Sequence, residues 1–203
     1  MIEQGTPEWH AMRCGKATAS RMADIMAKTK TGVSASRANY MAEIVAERLT
    51  GKVAEGFISK DMEWGKEVEA EARAAYSFYR MQDVDEVAFV DHPTIAMSGA
   101  SPDGLVGDLG LVEIKCPKTA THIAHLMGKG IPSKYVHQMQ WQMACTGREW
   151  CDFVSFDPRL SEEHKLMVRR LERDDELIGE MEREVKKFLS EVDEVIAALG
   201  KLK

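Results

Sequence analysis

Hydrophobic residues recur at helical spacing near both ends of the chain, whereas its middle holds shorter apolar runs. The segment SRANYMAEIVAERLTGK predicts an amphipathic helix that Gly51 closes, and YVHQMQWQMACTG predicts another that Gly147 closes. Further helices are predicted in PEWHAMRC, TASRMADIMA, SKDMEWGKEVEAEARAAYSFY and DDELIGEMEREVKKFLSEVDEVIAALG. Strands are predicted in DEVAFVDH, IAMSGASPDGLVG, LVEIKCP, WCDFVSFDP and LMVRRLER. This order indicates an α+β or mixed α/β fold with one central sheet flanked by helices.

Composition adds a size and a charge distribution to this pattern. With 203 residues and 44% hydrophobic content, the chain is long enough for a single domain, residues 1–203, with a sizeable core. The net charge of −6 argues weakly against a polyanionic partner. Residues 11–37, however, carry six basic side chains and only one acid, Asp24. A polyanion could therefore still be held locally by this segment.

The cysteines and the N-terminal segment give an expectation for the cellular compartment. The four cysteines form no Cys-x-x-Cys pair, and the chain begins without a basic-then-apolar signal segment. No apolar run approaches the length that crosses a bilayer, so no membrane partner is expected. We therefore expect a cytoplasmic protein with reduced thiols.

The segment SPDGLVGDLGLVEIKCP places three charged side chains in a stretch that otherwise predicts sheet. Asp103 lies in a turn, and Glu113 and Lys115 share one face of the next strand because they are two residues apart. Two carboxylates on adjacent strands could bind one Mg²⁺, and the lysine could orient water and offset charge on a phosphate. The alternative is an ion pair on a solvated strand face beside an ordinary Pro-Asp-Gly turn.

A second cluster of possible ligands follows this strand. His122 and His125 lie three residues apart, close after Cys116, which is a spacing that could serve zinc. No fourth ligand stands out, so we interpret the two histidines as facing solvent or DNA.

Pro-Asp followed after a spacer by Glu-x-Lys is the signature of the PD-(D/E)XK nuclease superfamily. The chain more closely resembles the phage lambda exonuclease (alkaline exonuclease) family of phage recombination. The similar blocks run in order along nearly the whole chain: EQGTPEWHAMRCGKATAS, MEWGKEVEAEAR, SGASPDGLVG, LVEIKCP, YVHQMQWQM and FDPR. The resemblance implies a core like that of restriction endonucleases.

Several residues take roles from this resemblance. It implies that Asp103, Glu113 and the backbone carbonyl of Ile114 bind magnesium, and that Glu69 completes the metal site. The alternative for Glu69 is an i,i+4 ion pair with Arg73 on an exposed helix face.

The remaining roles concern catalysis and the DNA end. The resemblance implies that Lys115 is the catalytic lysine, that Gln138 approaches the metal site and that Tyr135 lies beside it. Arg13 and Ser20 match positions that hold the 5′-phosphate of the DNA end, which suits a guanidinium fork and a hydroxyl near a helix N-terminus.

The function implied is a Mg²⁺-dependent exonuclease, with Mn²⁺ as a substitute. It would digest the 5′-ended strand of linear double-stranded DNA and leave 3′ single-stranded tails, with Met62 as an apolar wedge at the DNA end. The resemblance also implies a processive, ring-shaped homotrimer and a single-strand annealing recombinase as partner. Two alternatives remain: a restriction-like or repair endonuclease, and a non-catalytic DNA-end-binding module.

Overall fold

The computed structural model describes residues 2–30, 32–53, 60–128 and 130–202, with the backbone alone for residues 60–62. The helices are α1 Pro7–Arg13, α2 Met22–Met26, α3 Ala35–Thr50, α4 Lys60–Arg80, α5 Thr119–Met127, α6 Ser133–Thr146 and α7 Asp175–Leu199. The strands are β1 Ala17–Thr18, β2 Val84–Asp85, β3 Val90–Asp91, β4 Ser98–Ala100, β5 Gly104–Val106, β6 Gly110–Lys115, β7 Trp150–Phe156 and β8 Leu166–Glu172.

The strands form two sheets rather than the one expected. The larger sheet has the order β2-β5-β6-β7-β8, and it is mixed because β6 and β7 run parallel while the other pairs run antiparallel. The smaller sheet has the order β1-β4-β3. The segment predicted as one strand, DEVAFVDH, contributes Asp85 to β2 in the larger sheet and Val90–Asp91 as β3 to the smaller one. The predicted mixed α/β class with flanking helices is confirmed.

The larger sheet is covered by helices on both faces. Val68, Ala72 and Tyr76 of α4 pack on one face, against Val112 and Val154. On the other face Met139 and Met143 of α6 pack against residues of β6, β7 and β8, namely Leu111, Cys151, Phe153 and Met167. Alternation along β6 therefore directs Glu113 toward α6, away from Val112.

A third apolar cluster joins the remaining helices to the small sheet. It contains residues of α2, α3, α6 and α7, and its largest fully buried side chains include Trp141, Phe188 and Met22. Helices α3 and α6 end at Gly51 and Gly147, whose φ angles of 67° and 71° are left-handed, as the sequence predicts. In the described residues no helix is long and apolar enough to cross a membrane.

Candidate active site

The register of one hairpin brings two carboxylates together. Strands β5 and β6 are antiparallel with Gly104 opposite Val112, so Asp103 and Glu113 come next to each other at the end of the pairing. The Asp103 carboxylate accepts a hydrogen bond from the backbone N–H of Ile114, at 2.7 Å from Oδ2 to N. This bond fixes the turn residue to the strand that carries Glu113.

Lys115 lies between the two carboxylates. Its Nζ atom contacts Glu113 Oε1 and is 3.8 Å from Asp103 Oδ2. The Glu113 side chain is fully buried, whereas the Lys115 side chain is 28% exposed. The predicted sharing of one strand face is confirmed, and the three groups form one site rather than a solvated ion pair.

Two glutamines of α6 hold the Glu113 carboxylate from the other side. Gln138 Nε2 donates to Glu113 Oε1 at 2.6 Å, and Gln142 Nε2 donates to Glu113 Oε2 at 2.5 Å. Gln138 was singled out from the sequence, whereas Gln142 was missed. The signal for Gln142 is its i,i+4 spacing from Gln138, which places both amides on one face of the helix.

Burial and the charges in this site shift the pKa values of Glu113 and Lys115. Burial, reinforced by the Asp103 carboxylate, raises the pKa of Glu113 to about 7, although the Lys115 ammonium and the Gln142 amide oppose this shift. Burial by itself would lower the pKa of Lys115, but the carboxylates of Glu113 and Asp103 outweigh it and raise that pKa above its usual value. Lys115 is therefore a cation at neutral pH.

Glu69 on α4 lies in the same electrostatic environment. Burial and the Asp103 carboxylate raise the pKa of Glu69, while Arg73 opposes the shift. Arg73 also donates to Glu69 Oε1 at 2.7 Å and contacts Glu86 at 2.9 Å, so the i,i+4 ion pair considered from the sequence is present. The role of Glu69 as a metal ligand stays a prediction.

The donor set suits a hard divalent cation. An ammonium already lies against both Asp103 and Glu113, so the arrangement places positive charge between two carboxylates. Among the residues that the structure describes, no three His, Cys, Asp or Glu side chains converge to enclose a metal ion. One or two carboxylates completed by water and substrate phosphate is the usual environment of Mg²⁺, and these residues fit it.

Arg13 and Ser20 line one cavity of about 350 Å³, together with Thr18. The Arg13 guanidinium lies 4.1 Å from the centre of the Trp9 ring and donates to Ser101 Oγ at 3.1 Å. Burial lowers the pKa of Arg13, although Tyr40 and the Glu47 carboxylate oppose this shift. The role of Arg13 and Ser20 at the DNA end stays a prediction, and the contact of Arg13 with Ser101 was missed.

Ser101 connects this cavity to the carboxylates. It lies two residues before Asp103, and its Oγ also accepts a hydrogen bond from Trp9 Nε1 at 3.0 Å. Ser20 itself is exposed, with its Oγ 3.4 Å from Thr18 Oγ1. Arg13 thus contacts a residue that is two positions from Asp103 in the sequence.

Two further residues that the resemblance singles out, Tyr135 and Met62, lie on α6 and α4. Tyr135 stacks on Phe153 with ring centres 5.1 Å apart, and its ring centre lies 5.6 Å from Lys115 Nζ. Tyr135 thus lies beside Lys115, and its place beside a metal site stays a prediction. Met62 lies in the first turn of α4, and its side chain falls outside the described residues.

The histidines after β6 do not face solvent as expected. His122 is fully buried, with Nδ1 2.8 Å from Ser155 Oγ and Nε2 2.8 Å from the carbonyl oxygen of His164. His125 Nδ1 also contacts Ser155 Oγ, at 2.9 Å. The interpretation of His122 as facing solvent or DNA was wrong, because the packing of α5 on β7 encloses it.

Comparison with known proteins identifies the family of the chain. The YqaJ-like viral recombinase domain matches residues 8–149, which is more than half of the chain. The chain belongs to the YqaJ-like viral recombinase family. No match was found among curated proteins.

Solved structures extend this family assignment to nearly the whole chain. The chain is similar to an alkaline exonuclease (LHK-Exo) from Laribacter hongkongensis, with 52% identity, a TM-score of 0.91 and 97% of each chain covered. That protein in complex with dAMP gives a TM-score of 0.90, at 52% identity over 96% of each chain. A phage related exonuclease from Haemophilus somnus 129PT, at 18% identity, shares the fold with a TM-score of 0.74, over 91% of this chain and 96% of that one. The resemblance to the alkaline exonuclease family is confirmed, and it supports a nuclease acting in recombination.

Proposed function

We propose that this member of the YqaJ-like viral recombinase family is a Mg²⁺-dependent 5′-to-3′ exonuclease. It digests the 5′-ended strand of linear double-stranded DNA and leaves 3′ single-stranded tails. The observation that carries the proposal is the convergence of Asp103, Glu113 and Lys115 at one end of β6. The 52% identity to an alkaline exonuclease supports it.

The metal site in this proposal consists of carboxylates and backbone. Asp103 and Glu113 hold Mg²⁺, or Mn²⁺ in its place, with the carbonyl of Ile114 and with Glu69 at its edge. When bound, the metal ion would lower the pKa of water and polarise the phosphoryl oxygen. Gln138 orients the Glu113 carboxylate by its 2.6 Å hydrogen bond.

Lys115 supplies a positive charge in the site that does not depend on a bound metal ion. Its raised pKa keeps the ammonium protonated, so it can hold the attacking water and offset negative charge that develops on the phosphate. The carboxylates of Glu113 and Asp103 hold this ammonium in the site, and the Tyr135 ring centre lies 5.6 Å from it.

The end specificity rests on the cavity of Arg13. The partly buried guanidinium of Arg13, which donates to the hydroxyl of Ser101, is suited to bind the terminal 5′-phosphate, with Ser20 as a second donor. An enzyme that cuts internal sites needs no such pocket, which favours an exonuclease over the endonuclease alternative. The complete Asp103, Glu113 and Lys115 set argues against a non-catalytic end-binding module.

The proposal includes a homotrimer, a recombination partner and a location. Phe78 and Met81 at the end of α4 have 83% and 89% of their surface exposed, which is unusual for large apolar side chains and supports a subunit contact. The 3′ tail would be taken up by a single-strand annealing recombinase. All four cysteines are free thiols, which supports a reducing cytoplasm.

The experiment is digestion of a linear duplex labelled on each strand, with Mg²⁺. The substrates are 5′-phosphorylated ends, 5′-hydroxyl ends and a closed circle, and the Lys115→Met variant is the control. The proposal expects rapid loss of the phosphorylated 5′-ended strand, slow loss from hydroxyl ends and an intact circle. Cutting of the circle would instead support the endonuclease, and end binding without digestion would support the non-catalytic module.

A further inference from the structure

Four short strands form one interrupted antiparallel pair at the junction of the two sheets. Asp85 lies opposite Leu105 in the larger sheet, and Val90 lies opposite Ala100 in the smaller sheet. The step from 85 to 90 and the step from 105 to 100 are both five positions, so the same register continues across the gap. The two segments inside the gap therefore run side by side.

These segments are residues 86–89 and 101–103, and the second ends at Asp103. Neither belongs to a strand, because the chain passes there from one sheet to the other. Pro102 is buried and has no backbone N–H, so its carbonyl is the only backbone group through which a hydrogen bond can hold it. The backbone that leads into Asp103 thus depends on the partner of this carbonyl.

The side chain of Gln4 is that partner, and it bridges the gap. Gln4 Nε2 donates to the carbonyl of Pro102 at 2.8 Å and to the carbonyl of Val87, on the opposite segment, at 2.8 Å. Carbonyl oxygens only accept hydrogen bonds, so the NH₂ group of the amide must face both of them. One side chain therefore ties the two segments together directly before Asp103.

Trp9 bridges the same two segments one residue further along. Its Nε1 atom donates to the carbonyl of Ala88 at 2.9 Å and to Ser101 Oγ at 3.0 Å. The N-terminal segment thus supplies two side-chain bridges where the backbone pairing is interrupted. Gln4 and Trp9 also line a cavity of about 280 Å³ with Glu69, so the bridges lie beside a predicted metal ligand.

We propose that Gln4 is a positioning residue that sets the place of Asp103 in the cation site by holding the carbonyl of Pro102. The inference rests on the proposed metal site at Asp103 and Glu113. Groups that hold a metal ligand in place strengthen metal binding, because the ligand needs no reordering when the cation arrives. Loss of the Gln4 bridge should therefore weaken cation binding although every ligand is still present.

The test is isothermal titration of the metal-free protein with Mn²⁺ alone. Gln4→Met keeps the length of the side chain and removes both donated hydrogen bonds, so the affinity for Mn²⁺ should fall about tenfold. Gln4→Asn, whose shorter amide cannot reach both carbonyls, should give a smaller fall. In digestion of labelled duplex, Gln4→Met should need about tenfold more Mg²⁺ for its half-maximal rate, and saturating Mg²⁺ should restore that rate.

The matched control is Gln140→Met. The Gln140 amide also donates to a backbone carbonyl, that of Glu172 at 2.8 Å, and it accepts from the N–H of Asp174. This variant should lose stability without changing the affinity for Mn²⁺, and circular dichroism checks that each variant folds. If Gln4→Met does not fold, the comparison is made with Gln4→Asn.

Two results would overturn the role of Gln4 and leave the nuclease proposal intact. One is an unchanged Mn²⁺ affinity in a folded Gln4 variant, and the other is an equal loss of affinity in Gln140→Met. A wild-type protein that binds no Mn²⁺ would instead overturn the proposed metal site itself.

Discussion

Two buried carboxylates on neighbouring strands have partners that differ in charge. Asp152 on β7 accepts hydrogen bonds from Tyr76 at 2.8 Å and from the guanidinium groups of Arg80 and Arg170 at 2.8–3.1 Å. Glu113 on β6 is bound by two neutral amides and one ammonium, and a second carboxylate lies nearby. Both carboxylate side chains are fully buried.

The difference separates a carboxylate that supports the fold from one that is available for chemistry. Two fixed cations and a phenol satisfy Asp152 completely, so it gains nothing from a further cation. Around Glu113, one ammonium serves two acids, and the pKa of Glu113 rises to about 7 through burial and the Asp103 carboxylate. Burial alone therefore does not identify a functional carboxylate; the charge balance of its partners does.

The largest expected effect comes from removing the charge of Glu113 while keeping its shape. Glu113→Gln should lower the rate of DNA digestion by about 10³-fold or more, because the cation site loses one of its two carboxylates. The protein should remain folded, since a neutral amide is less costly to bury than a carboxylate. Single-turnover digestion of labelled duplex, with circular dichroism beside it, checks both parts. A variant that digests DNA at more than a tenth of the wild-type rate would remove Glu113 from the site.

The corresponding change at Asp152 should lower stability and leave the rate of DNA digestion unchanged. Asp152→Asn leaves Arg80 and Arg170 without their counter-charge, which we expect to lower the free energy of unfolding by about 3 kcal/mol. This value is at the low end for a buried pair, because the side chains of Arg80 and Arg170 are 30% and 35% exposed to screening solvent. Urea denaturation measures the loss, and the digestion rate per folded molecule should be unchanged. A stable but inactive Asp152→Asn protein would contradict the structural role.

The pH dependence of stability should distinguish the two sites further. The pKa of Glu113 in the fold, about 7, exceeds its ordinary value of 4.5, so the native state favours the protonated form. Its contribution to stability is full below about pH 4.5 and is lost as pH rises through 7. In EDTA, the Tm of the wild type should therefore fall relative to that of Glu113→Gln as pH rises through this window.

Added Mg²⁺ should reverse that loss. A metal ion binds the ionised carboxylate, so it should raise the Tm of the wild-type protein more at pH 8 than at pH 6. In Glu113→Gln this pH-dependent gain should shrink. Differential scanning calorimetry at both pH values gives the result, and an equal gain at pH 6 and pH 8 would argue against Glu113 as the titrating ligand.

The smallest effect concerns two arginines that line the same cavity. Arg21 is paired with Asp24 at 2.6 Å and with Glu43 at 2.5 Å, whereas Arg13 donates to the Ser101 hydroxyl at 3.1 Å. Arg13→Gln should reduce the preference for 5′-phosphorylated over 5′-hydroxyl ends by about tenfold, the effect of one charged hydrogen bond. Arg21→Gln should leave that preference unchanged, since its guanidinium is already engaged. An unchanged preference in Arg13→Gln would mean that Arg13 does not bind the terminal phosphate.

Much of this arrangement follows from local sequence. Asp103, Glu113 and Lys115 could be predicted because strand alternation and a short hairpin fix their relative positions within thirteen residues. Gln138 and Tyr135 came from the family resemblance, and their contacts with Glu113 and Lys115 depend on how α6 packs across the sheet. Local sequence carries no information on that packing.

The features that were missed depend on contacts between distant segments. Ser101 is identified only when α1 brings Arg13 and Trp9 to it, across some ninety positions of the chain. The two-sheet division arises because the residues between β2 and β3 leave one sheet and join another, which hydrophobic alternation does not encode. In the sequence, His122 has the features of an ordinary polar helix residue. It is enclosed only because α5 packs on β7.

The central claim is that Asp103 and Glu113 together hold a divalent cation and that Asp152 does not. Its most direct test is a crystal of this protein grown with Mn²⁺, measured at a wavelength where manganese scatters anomalously. We expect an anomalous peak about 2.1 Å from one oxygen of each of Asp103 and Glu113, the distance typical of small octahedral cations. Absence of a peak there, in crystals that bind manganese elsewhere, would contradict the account.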